Sequence, residues 1–419
     1  MAAGIAPRRA ALGILRRVRE GVRFEHAFEL AVAELSESDR RLVHEIAAGA
    51  LRQRDTLDRQ IDSFVTADPS RLEPDLRDLL RIGAYQLTHL DRVPAYAVLS
   101  TTVEVAKNIS GRRAAGLVNA VLRRLAEAIE AGHTPDPAEE LAARYSHPPW
   151  LVERWIGLFG IGRTEALLRH NNTRLPLTLQ PAKVTMDALW QLMISANVPC
   201  AEGPLGMGLT VESPQVRTLP GYEAGAFIVQ DAAHAWLLDS LAIPAGATVW
   251  DCCAAPGGKT SVVSRTAGHV SASDFRRDRL GILRDTVTRA AHGVSLFLAD
   301  ARRPPVRPRG VEVVLIDAPC SATGTIARHP DARWRLSADR IGRLVRREEE
   351  ILEGAASAVS KHGLLVYMTC SLEAEENGHQ VDRFLDRHPE FRREQDDLFV
   401  FPPDAGTDGG YAARLRRVA

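Results

Sequence analysis

Apolar residues in the first third of the chain recur every three to four positions, which is the spacing of one face of an α-helix. Pro7 suits the first turn of a helix, where its missing N–H has no partner to lose. The same spacing returns around residues 74–90, 96–107 and 117–125. The pattern predicts an all-α bundle over residues 1–132, with apolar stripes formed by Ala10, Ala11, Ile14, Leu15 and Val18 and by Leu117, Val118, Val121, Leu122 and Leu125.

The middle of the chain changes pattern twice. A segment rich in proline and acidic residues ends in His147-Pro148-Pro149, which predicts a linker over residues 133–149. Residues 150–225 then combine two short helical stretches with an alternating strand at 175–180, a helix at 186–198 and a strand near 209–212. This mixture predicts a small α+β subdomain of RRM-like type.

From residue 226 to residue 419, short apolar strands alternate with helical stretches. The strands are predicted at residues 248–250, 270–273, 294–298, 311–316 and 364–368, and a polar or reactive residue follows each of them: Asp251, Asp274, Asp300, Asp317 and Cys370. Such alternation predicts an α/β domain with a mostly parallel, Rossmann-like sheet and helices on both faces. Because ligands bind at the carboxyl ends of such strands, these five residues predict one site.

The turn after the first of these strands, TVWDCCAAPGGKT at residues 248–260, has the form of a nucleotide-binding turn. A phosphate-binding loop is excluded because Cys253 stands where its first glycine is required and Pro256 interrupts the loop. The dinucleotide pattern G-x-G-x-x-G is also absent. Gly257 and Gly258 let the main chain approach a ligand closely. An acid followed by small residues suits a less charged ligand, such as S-adenosyl-L-methionine.

The next two acids have alternative roles. Asp274 lies 23 residues after Asp251, where an acid commonly binds ribose hydroxyls, but it is equally suited to cap the helix that begins near Phe275. Asp300 is placed to reach the base of the ligand, or to cap a turn before Pro304.

Two cysteines follow strand ends near this turn. Cys320 lies three residues after Asp317, and Cys370 ends the next strand. A single cysteine is more often a small buried residue, but two at strand ends beside a cofactor turn indicate chemistry. A thiolate added to carbon 6 of a pyrimidine makes carbon 5 nucleophilic towards a methyl sulfonium. An acid near N3 stabilises the developing charge, and a second group assists release.

Overall composition narrows the class of protein. The chain has 419 residues, 45% of them hydrophobic, and a formal net charge of +0, so no global field indicates a nucleic-acid partner. No apolar run is long enough for a membrane span, and the N-terminus lacks a secretory signal, so we expect a cytoplasmic protein. In that compartment the five cysteines are expected to be free thiols, and their spacing predicts no metal site.

Local charge leaves the RNA question open. Residues 300–347 contain eleven arginines against five acids, which is either an RNA-backbone footprint beside the thiols or solvated surface. In the helical bundle, Arg112, Arg113, Arg123 and Arg124 are candidate RNA contacts, but a plain packing module fits the balanced charge as well.

Several segments together resemble the Sun-type RNA cytosine-5 methyltransferases. The resemblance rests on DCCAAPGGKT, DAPCSATGTIARHPDARW, TCSLEAEEN and GAFIVQDAAHAW, and it covers nearly the full length. LRIGAYQLTHLDRVPAYAVLSTTVEVAK and GLVNAVLRRL resemble the NusB-like RNA-binding domain that precedes the catalytic domain in that family. The resemblance implies methyl transfer from S-adenosyl-L-methionine to carbon 5 of a cytosine in small-subunit ribosomal RNA, through a covalent cysteine–pyrimidine adduct.

By the same resemblance, Cys370 is the nucleophile and Cys320 the cysteine of product release, whereas spacing alone leaves the two roles open. Asp317 is the acid at N3, and Lys259 is a further candidate that orients the base. The implied cofactor residues are Cys253, Ala254, Ala255, Pro256, Gly257, Gly258, Lys259, Asp274, Asp300 and Asp317. RNA is the expected partner, without membrane or metal, and the chain is expected to be a monomer.

The sequence departs from the family pattern in three places. Gln180-Pro181-Ala182 stands where an Arg-x-Asn is usual, and Asp408-Gly409-Gly410-Tyr411 replaces Asp-Gly-Phe-Phe. Cys252 takes a position that is more often aliphatic. The first two departures concern substrate positioning, so two other hypotheses stay open: the same chemistry on transfer RNA, and a non-catalytic RNA-binding assembly factor.

Overall fold

The computed structural model describes residues 4–66, 68–132, 140–212 and 216–418. The chain forms two compact units, one of Met1–Thr173 with His329–Arg335 and one of Arg174–Arg328 with Leu336–Ala419. Most of the predicted linker, residues 133–139, lies outside the described residues, and the predicted domain limits stay a prediction. Within the described residues, no helix is both long enough and apolar enough to cross a membrane.

The first unit is helical, as predicted for residues 1–132. In α1 the buried face contains Ala11, Ile14, Leu15 and Val18, which confirms the predicted stripe. Its helices are α1 (Ile5–Arg19), α2 (Phe24–Val32), α3 (Glu37–Arg52), α4 (Arg54–Asp62), α5 (Pro74–His89), α6 (Ala95–Glu130), α7 (Leu141–Arg144), α8 (Pro149–Phe159) and α9 (Ile161–Asn171), joined by a later short helix of the chain, α14 (Ala332–Arg335).

Two glycines shape the bundle. At Gly49 in α3, an added Cβ would lie 1.9 Å from Cζ of Tyr85, so only glycine lets α3 and α5 approach this closely. Gly111 has φ +80° inside α6, a left-handed conformation that splits this long element into two helices. The second half of α6 buries Val118, Val121 and Leu122, and their neighbour Leu125 completes the stripe predicted there.

Segment His329–Arg335 belongs to the first unit although its neighbours in sequence belong to the second. Its anchor is Arg333, a fully buried guanidinium. Nη1 donates to the carbonyl of Ser146 at 3.0 Å and to Oδ1 of Asn172 at 2.9 Å, and Nη2 donates to the carbonyl of Asn171 at 2.9 Å. Burial, and then the charge of Arg52, lower the pKa of Arg333 well below its usual value, and the charge of Asp55 opposes this shift.

The second unit contains a small antiparallel sheet of order β2-β3-β1-β4. Its core is apolar and includes Leu179, Leu189, Met193 and Phe227. The strand and helix predicted at 175–180 and 186–198 are present, and a fourth strand continues the sheet beyond residue 225. The elements are β1 (Leu177–Pro181), α10 (Met186–Ser195), β2 (Cys200–Glu202), β3 (Leu209–Val211) and β4 (Phe227–Val229).

The large sheet has the order β10-β12-β9-β8-β5-β6-β7, with β11 paired to β12. All five predicted strands form, and β9, β8, β5, β6 and β7 run parallel. The strands are β5 (Thr248–Asp251), β6 (His269–Asp274), β7 (Val294–Leu298), β8 (Val311–Asp317), β9 (Val359–Thr369), β10 (Phe391–Arg393), β11 (Leu398–Val400) and β12 (Gly410–Arg417). The last three are antiparallel additions that the sequence pattern did not predict.

Six helices accompany this sheet: α11 (Ala232–Ser240), α12 (Gly258–Val263), α13 (Arg277–Ala290), α15 (Ala338–Ala356), α16 (Gly378–Arg387) and α17 (Pro402–Ala405). Strand β5 lies between β6 and β8, so the direction of strand succession reverses at β5. Open α/β sheets bind ligands at the carboxyl ends of the strands flanking such a reversal. The ends of β5, β8 and β9 carry Asp251, Asp317 and Cys370.

Candidate active site

The turn after β5 is held by its own side chains. Thr260 of α12 donates a hydrogen bond to Oδ2 of Asp251 at 2.6 Å. Burial raises the pKa of Asp251 to about 7, and its Oδ1 has no hydrogen-bond partner among the described residues. Gly257 has φ +108°, and an added Cβ would meet Cδ1 of Leu283 at 3.0 Å. The turn therefore combines an unsatisfied buried acceptor with a main chain that only glycine can form.

The end of β6 is joined to this turn. The backbone N–H of Ala254 donates to the carbonyl of Ser273 at 2.9 Å, so Asp274 lies beside the small-residue loop. Asp274 is buried, accepts a hydrogen bond from the N–H of Arg276 at 3.0 Å, and forms an ion pair with Arg279 at 3.3 Å. The capping role weighed from the sequence is not formed, because α13 begins at Arg277 and its N-cap residue, Arg276, has no side-chain cap hydrogen bond; the ribose role stays a prediction.

Asp300 has a different environment from the other four strand-end residues. Its side chain is 35% exposed. Nε of Arg302 donates to both carboxylate oxygens of Asp300, each at 3.0 Å. The hydrogen bond from Arg302 is the main cause that lowers the pKa of Asp300. Asp300 lines an open groove of about 950 Å³ together with Glu349 and Glu350, whereas Lys259, Cys320 and Cys370 are absent from that lining.

Lys259 and Asp317 form an ion pair of 2.7 Å between Nζ and Oδ2. Burial alone would lower the pKa of Lys259, but the charge and hydrogen bond of Asp317, followed by the charge on Cys370, outweigh it and raise the pKa. Lys259, the further candidate for orienting the base, thus places a positive charge beside Asp317 and Cys370.

The two predicted thiols are adjacent. Sγ of Cys320 lies 3.3 Å from Sγ of Cys370, and the backbone N–H of Cys370 points to Sγ of Cys320 at 3.3 Å. Both residues are partly exposed, and all five cysteines are free thiols. The hydrogen bond with Cys370, then burial, and then the charges of Cys370, Glu376 and Glu348 raise the pKa of Cys320 well above its usual value. Either sulfur can donate in the contact between the two thiols, and Sγ of Cys320 also accepts the backbone N–H of Cys370.

Main-chain bonds fix this geometry. The N–H of Gly324 donates to the carbonyl of Cys370 at 3.0 Å, and the N–H of Gly409 donates to the carbonyl of Gly324 at 2.7 Å. A Cβ on Gly324 would lie 2.6 Å from the Gly409 oxygen, and one on Gly410 would lie 2.9 Å from the carbonyl oxygen of Thr369. Gly410, the first residue of the Gly410-Tyr411 departure, is thus tightly packed against the end of β9, and no larger residue fits there without movement.

Sequence reasoning missed a buried ion cluster. Arg328 donates to Asp231 at 2.7 Å and to Asp408 at 3.1 Å, and both carboxylates are buried. His234 lies in the same part of the unit, close to Lys259. Burial, and then the Lys259 charge, lower the pKa of His234 to about 4, and its Nε2 has no partner among the described residues. The segment GAFIVQDAAHAW, noted only for its resemblance, was the available signal.

The structure thus brings together Asp251, Lys259, Asp317, Cys320 and Cys370, and it places Asp274 beside them. Cys253, Ala254, Ala255, Pro256, Gly257 and Gly258 form the connecting loop, and Cys252 is a small buried residue. Such a site can supply a thiolate, a neighbouring thiol and an acid–base pair to one ring. Within the described parts of the chain, no group of three or more His, Cys, Asp or Glu side chains is arranged to hold a metal ion.

Comparison with known families gives two matches. Residues 239–416 match the family described as 16S rRNA methyltransferase RsmB/F, and residues 6–127 match the NusB family. The probable ribosomal RNA small subunit methyltransferase B of Synechocystis is 35% identical, over 86% of this chain and 84% of that protein. The ribosomal RNA small subunit methyltransferase B of Vibrio cholerae is 34% identical, over 97% and 96%.

Solved structures agree with this result. The crystal structure of PH0851 superposes with a TM-score of 0.82 at 26% identity, covering 99% of both chains. The structure of NSun6 from Pyrococcus horikoshii with SFG, an analogue of S-adenosyl-L-methionine, has a TM-score of 0.57 at 18% identity. It covers 65% of this chain and 98% of that chain, and at this identity it supports the fold alone.

Proposed function

The chain belongs to the RsmB/F family of 16S ribosomal RNA methyltransferases, and from this premise we propose that it methylates carbon 5 of a cytosine in small-subunit ribosomal RNA through a covalent adduct with Cys370. The observation that carries the proposal is the 3.3 Å approach of the Cys320 and Cys370 sulfur atoms beside the Lys259–Asp317 ion pair. We also propose the cytoplasm as its compartment, where bacterial ribosomal RNA is found.

The family uses S-adenosyl-L-methionine, which supplies an activated methyl group on a sulfonium. We propose that the loop Cys253–Lys259, with Asp274, Asp300 and Asp317, holds it. The unsatisfied Oδ1 of Asp251 and the glycine-only conformation at Gly257 support this assignment, because both fit a polar ligand against the main chain.

The first step is the addition of the Cys370 thiolate to carbon 6. The sulfur–carbon bond forms, and the electron pair of the carbon 5–carbon 6 double bond moves towards N3. Asp317 is the hydrogen-bond partner at N3, and a proton can pass to N3 from the Lys259 ammonium through the carboxyl that it touches at 2.7 Å. Carbon 5, now an enamine carbon, would form a bond to the methyl group; the bond between methyl and the sulfonium sulfur would break, and its electron pair would stay on that sulfur as a neutral thioether.

Release reverses the addition. The proton on carbon 5 passes to a water molecule, its electron pair re-forms the double bond between carbon 5 and carbon 6, and the bond between carbon 6 and the Cys370 sulfur breaks. The proton at N3 returns through Asp317 to Lys259. The electron pair returns to that sulfur, 3.3 Å from the Cys320 thiol. We propose that Cys320 assists this step by donating a hydrogen bond to the departing thiolate.

A labelled-methyl assay on 16S ribosomal RNA, with bisulfite sequencing of the product, tests the proposal. Cys370→Ala should abolish methyl transfer, because the sulfur proposed to form the adduct is gone. Cys320→Ala should slow release and leave a protein–RNA adduct that survives denaturing electrophoresis. Cys200→Ala, which removes a thiol from the small sheet, is the matched control and should behave as the unaltered chain.

Each possible outcome favours one of the competing hypotheses over the others. Unchanged turnover in Cys370→Ala contradicts the nucleophile assignment, and an adduct with Cys370→Ala in place of Cys320→Ala exchanges the two roles. Methylation of transfer RNA in place of ribosomal RNA would favour the alternative substrate. Absence of any methyl transfer by the unaltered chain, with RNA binding intact, would favour a non-catalytic assembly factor.

A further inference from the structure

Three buried side chains beside the thiols have no part in the chemistry described so far. Glu348 lies on α15, Tyr367 on β9 and Glu376 in the loop before α16, and all three are inaccessible to solvent. Carboxyl groups are rarely buried unless they are paired or bonded. Their position next to Cys320 and Cys370 calls for a role.

Glu376 joins the two thiol-bearing segments. Its carboxyl accepts hydrogen bonds from the backbone N–H of Ser321 at 2.8 Å and from the Ser321 hydroxyl. Ser321 follows Cys320, and its hydroxyl lies 3.1 Å from that of Ser371, which follows Cys370. One carboxyl group therefore fixes the backbone on both sides of the 3.3 Å sulfur contact.

Glu348 differs from Glu376 in its partners. Its Oε1 has no hydrogen-bond partner among the described residues, and its Oε2 is 3.5 Å from the Tyr367 hydroxyl, which donates its shorter bond, 2.7 Å, to the carbonyl of Glu376. Burial, and then the charge of Glu376, raise the pKa of Glu348 to about 10. Burial also raises the pKa of Glu376, but hydrogen bonds from Ser321 and Ser371 oppose it. Both oxygens of Glu376 accept hydrogen bonds from Ser321, as a carboxylate does, whereas Oε1 of buried Glu348 has no such donor among the described residues; this contrast assigns Glu376 as the carboxylate and Glu348 as the neutral acid.

We propose that Glu376 is a positioning residue that keeps the negative charge off Cys320: its buried carboxylate, bonded to the residue that follows Cys320 and lying beside neutral Glu348, keeps the Cys320 thiol protonated. The groups that act electrostatically on Cys320 are Cys370, Glu376 and Glu348, and Tyr367 is the further titratable neighbour. Lys259 interacts with Cys370 instead. This inference rests on the proposed function and assigns its two thiol roles from the surroundings of each sulfur.

The test is the rate of alkylation by iodoacetamide at each cysteine, followed from pH 6 to pH 10 by peptide mass spectrometry. Only thiolates react, so each rate profile reports ionisation of one sulfur. In Glu376→Gln the hydrogen bonds from Ser321 keep an acceptor but the negative charge is gone. We expect Cys320 to react about tenfold faster near pH 8. This factor corresponds to a rate profile that has moved about one pH unit towards lower pH.

Two further variants sharpen the result. Glu348→Gln replaces one neutral group by another, so the profiles of both cysteines should stay within about twofold of the unaltered chain. Glu353→Gln removes a charge from the same helix, where Glu353 pairs with Arg387 and its side chain is 35% exposed, and should change neither profile. A large shift in Glu348→Gln would mean that Glu348 is ionised and would overturn its assigned role.

An unchanged Cys320 profile in folded Glu376→Gln would overturn the proposal. If that variant does not fold, Cys370→Ala gives a second measurement, because Cys320 should then still ionise above its ordinary value of about 8.5. Ionisation at or below that value would also overturn it. Alkylation needs no RNA, so this result stands apart from the methylation assay. In that assay, Glu376→Gln should lower kcat and leave KM for RNA unchanged, unlike a loss of folding.

Discussion

At the scale of single residues, Asp251 links the cofactor turn to pH. Its carboxyl is buried with a pKa of about 7, above the unfolded value of about 3.9. The neutral acid is therefore favoured by folding, and its contribution is complete below about pH 4 and is lost as pH rises to about 7. Asp251→Asn should remove this loss, which amounts to at most about 4 kcal/mol for three units. Urea unfolding at pH 4 and pH 8 measures it.

The asparagine keeps an oxygen to accept the Thr260 hydroxyl at the position that now accepts it at 2.6 Å. We expect the variant to gain stability relative to the unaltered chain at pH 8 and little at pH 4. Equal differences at both pH values would mean that Asp251 titrates as an ordinary carboxyl.

Lys259 carries a second prediction at this scale. Lys259→Gln removes the cation that pairs with Asp317 and lies near the Cys370 sulfur. Losing one group that stabilises a developing charge typically costs about 10²–10³ in turnover. We expect a fall of about that size in kcat, measured by labelled-methyl transfer. Lys361→Gln, at an exposed lysine, is the control and should leave kcat unchanged.

The grouping of the candidate site residues could be predicted from the sequence, but the residues that hold them in place could not. Cys320, Cys370 and Asp317 follow strands, so the rule that parallel strands share a carboxyl edge brings them together. Glu376 and Arg328 act through partners that no period or spacing reveals. Ser321 lies 55 residues from Glu376, and Asp231 lies 97 residues from Arg328. Only the fold makes such residues neighbours.

At the scale of elements, the parallel strands were predictable and the antiparallel ones were not. Strands such as β8 are continuous apolar runs, which is the pattern of a strand buried on both faces. By contrast, β12 contains Arg414, Arg416 and Arg417 and resembles a charged tail. Glu394 pairs with Arg414 and Arg416 at 2.6 Å, and Arg417 lies over the ring of Phe391. The aliphatic parts of these arginine side chains can therefore lie in the sheet, because an acid or an aromatic ring interacts with each guanidinium group.

Helix packing gives a prediction from two glycines of the same bundle. Gly49→Ala would drive a Cβ to 1.9 Å from Tyr85, whereas Gly116→Ala in α6 meets nothing within 4 Å. The first should destabilise the helical unit by about 1–3 kcal/mol, the typical cost of overpacking. The second should stabilise it by about 0.5–1 kcal/mol, because alanine loses less entropy in a helix. Denaturant unfolding followed by circular dichroism compares them; equal effects would contradict the close contact of α3 and α5.

At the scale of the whole molecule, counting charges overstated one candidate RNA surface. Of the arginines between residues 300 and 347, Arg302 is paired with Asp300, Arg328 with Asp231 and Asp408, and Arg333 is buried. Arginines already committed to internal partners contribute little to binding phosphates. Fewer of the arginines near the thiols are therefore available to bind phosphates than their number suggests. Exposed arginines elsewhere become better candidates for RNA contacts.

Arg112 and Arg113 are such residues, because both are exposed on α6 beside the kink at Gly111. If they neutralise RNA phosphates, replacing both by glutamine should weaken binding to 16S ribosomal RNA and lower the slope of log K against log salt concentration. Each lost phosphate contact removes about 0.7 from the slope for single-stranded RNA, so we expect a decrease of about 1.4.

The matched control is Arg41→Gln with Arg71→Gln, which removes the same charge from exposed arginines that already have acidic neighbours, Glu37 and Asp68. Their slope should stay near that of the unaltered chain, because counterions are released only where an arginine replaces them on the RNA. Fluorescence anisotropy at several salt concentrations measures both double variants in the full-length chain. Equal slopes for the two double variants would mean that net charge alone governs RNA binding. The helical unit would then be a packing module, which is the alternative that its balanced charge left open.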